Sequence, residues 1–135
     1  MAKAIGTDDA VNTCDCCGRT NLKFTVVMEL DDGEIVHYGQ VCAGRNTGKS
    51  KPQINGEIKA EAKRVRDAAA AEYMASAAYQ AYVLRLHERD RLSWDDPRRI
   101  GRNGFEFVRE ACEAADMARA AIAAKYGIRA YEVAA

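Results

Sequence analysis

The residues whose type and spacing can do chemistry are three thiols within four positions, Cys14, Cys16 and Cys17, followed by Gly18 and, two dozen residues on, by Cys42. A Cys-x-x-Cys-Gly turn lets two thiolates converge on one ion, and Gly18 supplies a backbone conformation that a residue with a Cβ resists. Cys42, in Gly39-Gln40-Val41-Cys42, stands where a third thiolate enters at the first turn of a helix. Cys14, Cys17 and Cys42 are therefore the expected ligands of a zinc ion. Arg45 and Asn46 occupy the positions where a fourth ligand would sit on that helix, so it has to come from elsewhere. His37, on the segment leading into Cys42, is the preferred fourth ligand and Cys16 its competitor, because a side chain inside the knuckle should point away from the ion. Buried free cysteines are the bland alternative, and three of them beside Asp15 and Arg19 fit it poorly. Cys112, on an apolar helical stripe, fits it well.

A thiolate-rich site quenches the Lewis acidity of its ion, and neither His37 nor His87 lies in a His-x-Glu context. No enzymatic activity is expected from it.

Positioning such ligands calls for a small fold. Leu22 to Met28 and Glu34 to Tyr38 are rich in β-branched and aromatic residues, and the Asp31-Asp32-Gly33-Glu34 turn between them predicts a β-hairpin. Knuckle, hairpin and helix start, in that order, describe a treble-clef zinc finger, which cannot bury enough apolar surface without its ion. Residues 1–13 read as a loose arm, and residues 43–52 as a short helical turn followed by a linker.

Beyond the linker the period becomes helical. Ile58, Ala62, Val65, Ala69, Tyr73, Ser76, Tyr79, Val83 and Leu86 predict one helix over 55–92, about 57 Å long at 1.5 Å per residue. Ser93 to Pro97 break it. Asn103 and Glu106 offer a capping box for a second helix, with Phe105, Val108, Cys112, Ala115, Ala118, Ile122 and Tyr126 as its stripe and Gly127 as its stop. Ile128 to Val133 read as a short terminal strand. The expected fold class is α+β, mainly α: a zinc-stapled β-hairpin module over 1–52, then an antiparallel helical hairpin with a C-terminal strand over 53–135. Alanines on both stripes allow close helix approach, or closure on a second copy as a homodimer.

Composition bounds the rest. The 135 residues carry 20 basic and 20 acidic side chains, so net charge predicts neither nucleic acid nor membrane as a partner. No segment approaches the roughly 20 apolar residues of a membrane span. The chain opens without an apolar signal segment, and clustered thiols in a reducing compartment are metal ligands more often than disulfides, which points to the cytoplasm.

Locally the charges do not cancel. Arg45, Lys49, Lys51, Lys59, Lys63, Arg64 and Arg66 face only Glu57 and Glu61 over the same stretch. Arg45, Lys49, Lys51, Lys63 and Arg64 are thus candidate phosphate or nucleic-acid contacts, against the alternative of a solvated helix face. Residues 43–50 also match a loose phosphate-loop pattern, but Lys51-Pro52 and Gly56 should interrupt the helix such a loop needs, and no magnesium-binding aspartate ends a later strand. The predicted hairpin tip, Trp94, Asp95, Asp96, Arg98 and Arg99, is a candidate anchor for a protein partner, unless Trp94 packs back between the helix ends.

Cys14 to Lys23, Cys-Asp-Cys-Cys-Gly-Arg-Thr-Asn-Leu-Lys, with Tyr38-Gly39-Gln40-Val41-Cys42-Ala43, resembles the N-terminal treble-clef-like zinc-finger segment of small actinobacterial and actinobacteriophage proteins. That resemblance implies a metal-binding module with Cys14, Cys17 and Cys42 as ligands, in a cytoplasmic and phage-type protein, and does not reach the helices. A zinc finger joined to a helical hairpin with Asp95 and Asp96 near its tip is also similar in outline to the RNA polymerase secondary-channel regulators, with the parts in reverse order. The expected function is a non-enzymatic, zinc-stabilised protein that engages nucleic acid or a nucleic-acid-processing partner. The alternative is a protein-only module or an inhibitor of a host protein, acting through the hairpin tip.

Overall fold

The computed structural model describes residues 2–133, in the order β1 (Lys3–Asp8), β2 (Thr25–Glu29), β3 (Ile35–Tyr38), α1 (Gln40–Thr47), α2 (Lys51–Ala75), α3 (Ala77–Asp90), α4 (Gly101–Tyr126) and a terminal 3-10 turn (Ala130–Glu132). The architecture is mainly helical, with a small antiparallel sheet at the N-terminal end. Two compact units are present, Met1–Arg64 and Val65–Ala135, and the division falls inside α2.

In the first unit the expected hairpin is β2–β3, with Val26 opposite Tyr38 and Glu29 opposite Ile35. Its turn closes by Leu30 N–H donating to Glu34 O and Gly33 N–H to Leu30 O, with Gly33 at φ +85°. The supposed loose arm is a strand: β1 pairs antiparallel with β2 from Lys3 opposite Glu29 to Asp8 opposite Thr25, with an irregularity between Ala4 and Gly6. Alternation in Ala2-Lys3-Ala4 is too weak in apolar residues to announce it. Ala4 nevertheless joins Val26, Met28, Ala43 and Ile54 in the core, with Phe24, Val36, Tyr38 and Ile58 packed around them. Met28 is fully buried, which is worth about 1.5–3 kcal/mol for a side chain of that size.

The predicted linker shrinks to three residues. Gly48 ends α1 in the left-handed conformation at φ +66°, and α2 begins at Lys51. Ser50 and Gln53 form a capping box, Gln53 N–H donating to Ser50 Oγ and Ser50 N–H to Gln53 Oε1. Pro52 in the first turn costs the helix nothing, since its missing N–H would have had no helical partner.

In the second unit the single long helix is instead two. Ser76 leaves the helical region at ψ 144°, accepts from Tyr79 N–H as the N-cap of α3, and donates its hydroxyl to Tyr73 O at 2.5 Å. A serine at this place offers the backbone an alternative to the helical ladder. α3 and α4 form the expected helical hairpin. Arg85 joins them, its Nε donating to Phe107 O at 2.9 Å and its guanidinium lying 3.8 Å from the centre of the Phe107 ring.

α4 starts at Gly101 with Ile100 as its N-cap, so Asn103 and Glu106 lie within the helix rather than forming its capping box. It ends as expected at Gly127, φ +66°, with Ile128 N–H donating to Ala123 O. The expected C-terminal strand is absent. Ile128 and Val133, five residues apart, both pack on the Ala69, Tyr73, Ala115 and Ala123 core, and a 3-10 turn closed by Arg129 N–H to Glu132 Oε2 allows this where strict alternation would not. Among the described residues no helix is long and apolar enough to cross a membrane.

Candidate metal centre

The knuckle is built by backbone bonds. Cys14 N–H donates to Arg19 O and Gly18 N–H to Cys14 O, both at 2.9 Å, with Gly18 at φ +73°. The turn is tied to β3 because Asp15 N–H donates to His37 O and Asp15 Oδ2 accepts from His37 N–H, both at 2.8 Å. Cys42 arrives in the first turn of α1, where Ala43 N–H donates to Gly39 O. Gly39 lies against Cys14: a Cβ there would sit 3.9 Å from Cys14 Sγ and 3.4 Å from Leu22.

These elements bring the sulfurs of Cys14, Cys17 and Cys42 within 4.8 Å of one another. In a tetrahedral site with metal–sulfur bonds of about 2.3 Å, sulfurs lie about 3.8 Å apart, so a small rotamer adjustment separates this arrangement from a bonded one. Cys14 is buried, Cys17 exposed and Cys42 half-buried. Burial pushes the Cys14 thiol up, yet the backbone N–H groups of Gly39, Cys17 and Cys16 and the Cys17 thiol outweigh it and bring it down to about 7. Cys42 is pushed up to about 12, chiefly by hydrogen bonding to Cys17 and Cys14, then by burial, by Cys16 and by the charge of Cys14. The two shifts have opposite signs because the close sulfurs share hydrogen bonds and charge. A divalent ion displaces the Cys42 proton, and a soft donor set of this kind suits zinc, copper(I) or iron.

The preferred fourth ligand is not in the group. His37 Nε2 lies 3.3 Å from Asp8 Oδ2, at the end of β1, and its Nδ1 3.9 Å from Asp15 Oδ2, in the knuckle turn that bonds the His37 backbone. Cys16 also stands outside the trio; it is exposed, and its sulfur accepts from Asn46 Nδ2 at 3.4 Å. Asn46, at a position where a treble clef would carry a ligand, instead bonds Cys16 and the Cys42 carbonyl.

A cavity of about 520 Å³ opens beside the three sulfurs and is lined by all of them, by Arg19, Lys23 and Arg45, and by Leu22, Phe24 and Val41. Arg19 and Lys23 lie outside the basic stretch because they flank the knuckle rather than following it. Their signal was proximity to Cys17 in sequence, which charge counting over a window passes by.

Of the other basic residues singled out, Lys49 does not face outward. Its ammonium bonds the Ala2 carbonyl at 3.2 Å and pairs with Glu57, whose carboxyl is held below its ordinary value although burial opposes this. A helix does follow Ser50, contrary to expectation. Residues 43–47 are themselves helical, however, so the phosphate-loop segment is no loop and its lysine is engaged. Arg64 pairs with Glu61 at 2.6 Å, while Lys51 and Lys63 are exposed on α2. Around 93–100, Trp94 is 82% exposed and does not pack back between helices. Asp95 is exposed, Asp96 accepts both N–H and guanidinium bonds from Arg98, and Arg99 Nη1 donates to Leu92 O. Cys112 is half-buried, not fully buried, with Sγ 4.0 Å from Asp116.

No family model, no curated protein and no solved structure matches the chain.

Proposed function

We propose that the first unit is a zinc-stapled binding module, acting without catalysis in a reducing cytoplasm, and that it engages nucleic acid or a protein that processes it. The observation that carries this reading is the three-sulfur cluster opening on a cavity rimmed by Arg19, Lys23 and Arg45. Among the described residues none of these three cations has a carboxylate partner, so their charge is available to a phosphate backbone. Zinc is chosen from the thiolate-selecting metals because it is redox-silent and tetrahedral, which suits a staple.

Elemental mass spectrometry on protein purified without a metal column should find one zinc per chain and none in Cys17→Ser. A salt titration of oligonucleotide binding should give a log–log slope near −2, the value for about three phosphate contacts on a single strand. Binding that ignores salt, or its absence from the zinc-loaded protein, would sink the nucleic-acid part. One observation favours a second reading, a protein-only module or inhibitor of a host enzyme: the 82% exposure of Trp94 on the segment between α3 and α4. Capture of a partner abolished by Trp94→Ala, with the salt-sensitive term absent, would select it.

A further inference from the structure

The site has three protein donors, and a tetrahedral ion needs four. Neither candidate within the chain belongs to the three-sulfur group: His37 is turned to Asp8, and Cys16, although its thiol reaches Cys42, lies outside the set of mutually close sulfurs and accepts from Asn46. The cavity, by contrast, is lined by all three ligand cysteines and by neither of those two residues. Where a treble clef would place its fourth ligand, three residues past Cys42, this chain carries Arg45, and Arg45 lines that same cavity. A cation in place of a ligand, beside an open coordination position, is suited to a donor that arrives from outside and brings negative charge with it.

The charge balance narrows the donor. Zinc with three thiolates carries a charge of about −1, and Arg19, Lys23 and Arg45 bring the neighbourhood to about +2. A phosphomonoester carries about −1.5 to −2 at neutral pH, against about −1 for an internal phosphodiester, so the terminal group is the better match. Beside the cations the wall is apolar, formed by Leu22, Phe24 and Val41. An aromatic face next to a phosphate-binding group serves a nucleobase, and a space of about 520 Å³ falls within the range of small-ligand pockets.

We infer that the fourth coordination position of the three-cysteine site takes a phosphoryl oxygen from the terminal phosphomonoester of a nucleic-acid strand, with Arg19, Lys23 and Arg45 holding the phosphate and Phe24 the adjoining base. This deepens the binding-module reading and rests on it. No bond to phosphorus is made or broken; the ligand enters and leaves intact.

The test uses the full chain reconstituted with cobalt(II), whose thiolate charge-transfer bands report the protein donors and whose d–d bands report the fourth ligand. A 5′-phosphorylated oligothymidylate, the 3′-phosphorylated and unphosphorylated forms of the same strand, thymidine monophosphate and inorganic phosphate are titrated in turn. The inference expects a saturable d–d change with one of the phosphorylated strands, binding weaker by about tenfold or more when the terminal phosphate is missing, and a comparable loss in Arg45→Ala and Lys23→Ala at unchanged charge-transfer intensity. Cys16→Ser should change nothing.

Equal binding of thymidine monophosphate and the strand would overturn the strand-end assignment in favour of a free nucleotide. A charge-transfer band reduced by about a quarter in Cys16→Ser, or d–d bands indifferent to every phosphate, would overturn the inference, the former by showing four protein thiolates. Salt-sensitive strand binding with indifferent d–d bands would leave the binding-module reading standing while this inference falls. Failure to take up cobalt at all would remove both.

Discussion

The two units hold themselves together by different means. In Met1–Arg64 the sheet and the helices after it bury Ala4, Val26, Met28, Ala43 and Ile54, while the knuckle beside them is held by backbone bonds around three close sulfurs. In Val65–Ala135 the core is made by helices meeting through Ala69, Ala115 and Ala123 around a fully buried Tyr73, whose ring lies 4.8 Å from that of Tyr79. A knuckle made of turn residues leans on whatever crosslinks it; helices packed around a buried tyrosine do not need a crosslink. The contrast locates where an ion matters.

Metal removal should break the contrast most visibly. Structural zinc contributes on the order of 10 kcal/mol to small domains of this type, so chelation or Cys14→Ser is expected to abolish amide-exchange protection in β1–β3 and α1 while α3 and α4 keep theirs. Equal loss in both units would show that the second unit also depends on the ion.

The reverse experiment is Tyr73→Ala, expected to cost about 3–5 kcal/mol in the second unit by urea unfolding, with metal content unchanged. It removes a fully buried ring, its contact with Tyr79 and the 3.4 Å bond from Arg119. A smaller loss, about 2 kcal/mol, is expected for Gly104→Ala, because a Cβ there would fall 2.2 Å from the Arg99 carbonyl oxygen and the backbone would have to give.

A gentler probe of the first unit is pH. Hydrogen bonds from Arg64 and Lys3 bring Glu61 down to about 2, despite some burial. A carboxyl lowered on folding stabilises the fold above its unfolded value and stops doing so as pH falls. The contribution, about 1 kcal/mol for pairs this close to solvent, should therefore fade between about pH 4.5 and 2 in metal-free protein, and Glu61→Gln should flatten that part of the pH–stability curve. The smallest effect is expected at His37→Ala: zinc content by elemental analysis should stay at one per chain, since the imidazole lies against Asp8 rather than the sulfurs. Loss of the ion would return His37 to the ligand set.

Legibility along the chain followed how local each cause is. The Asp-Gly hairpin, the Gly127 stop and the β-to-α order were readable because a turn residue or a period of a few residues sets them. The Ser50–Gln53 capping box is equally local, and Lys51-Pro52 marks the first turn of α2 and not a break, because proline is welcome there. β1 was unreadable for a different reason. Its partner is β2, some twenty residues away, and the segment has little pattern of its own.

Residue types and spacing were by themselves enough to single out Cys14, Cys17 and Cys42, because a knuckle is a local turn and the third thiol is marked by the strand-to-helix change at Gly39. They also determined the mainly helical class. Which way His37 turns, that Lys49 is spent on Glu57, that Arg45 and Lys23 share a cavity with the sulfurs, and that Ser76 divides a continuous period into two helices were decided only by the tertiary structure. Each depends on what a side chain meets across the fold, and that distance in space is not written in any spacing along the chain.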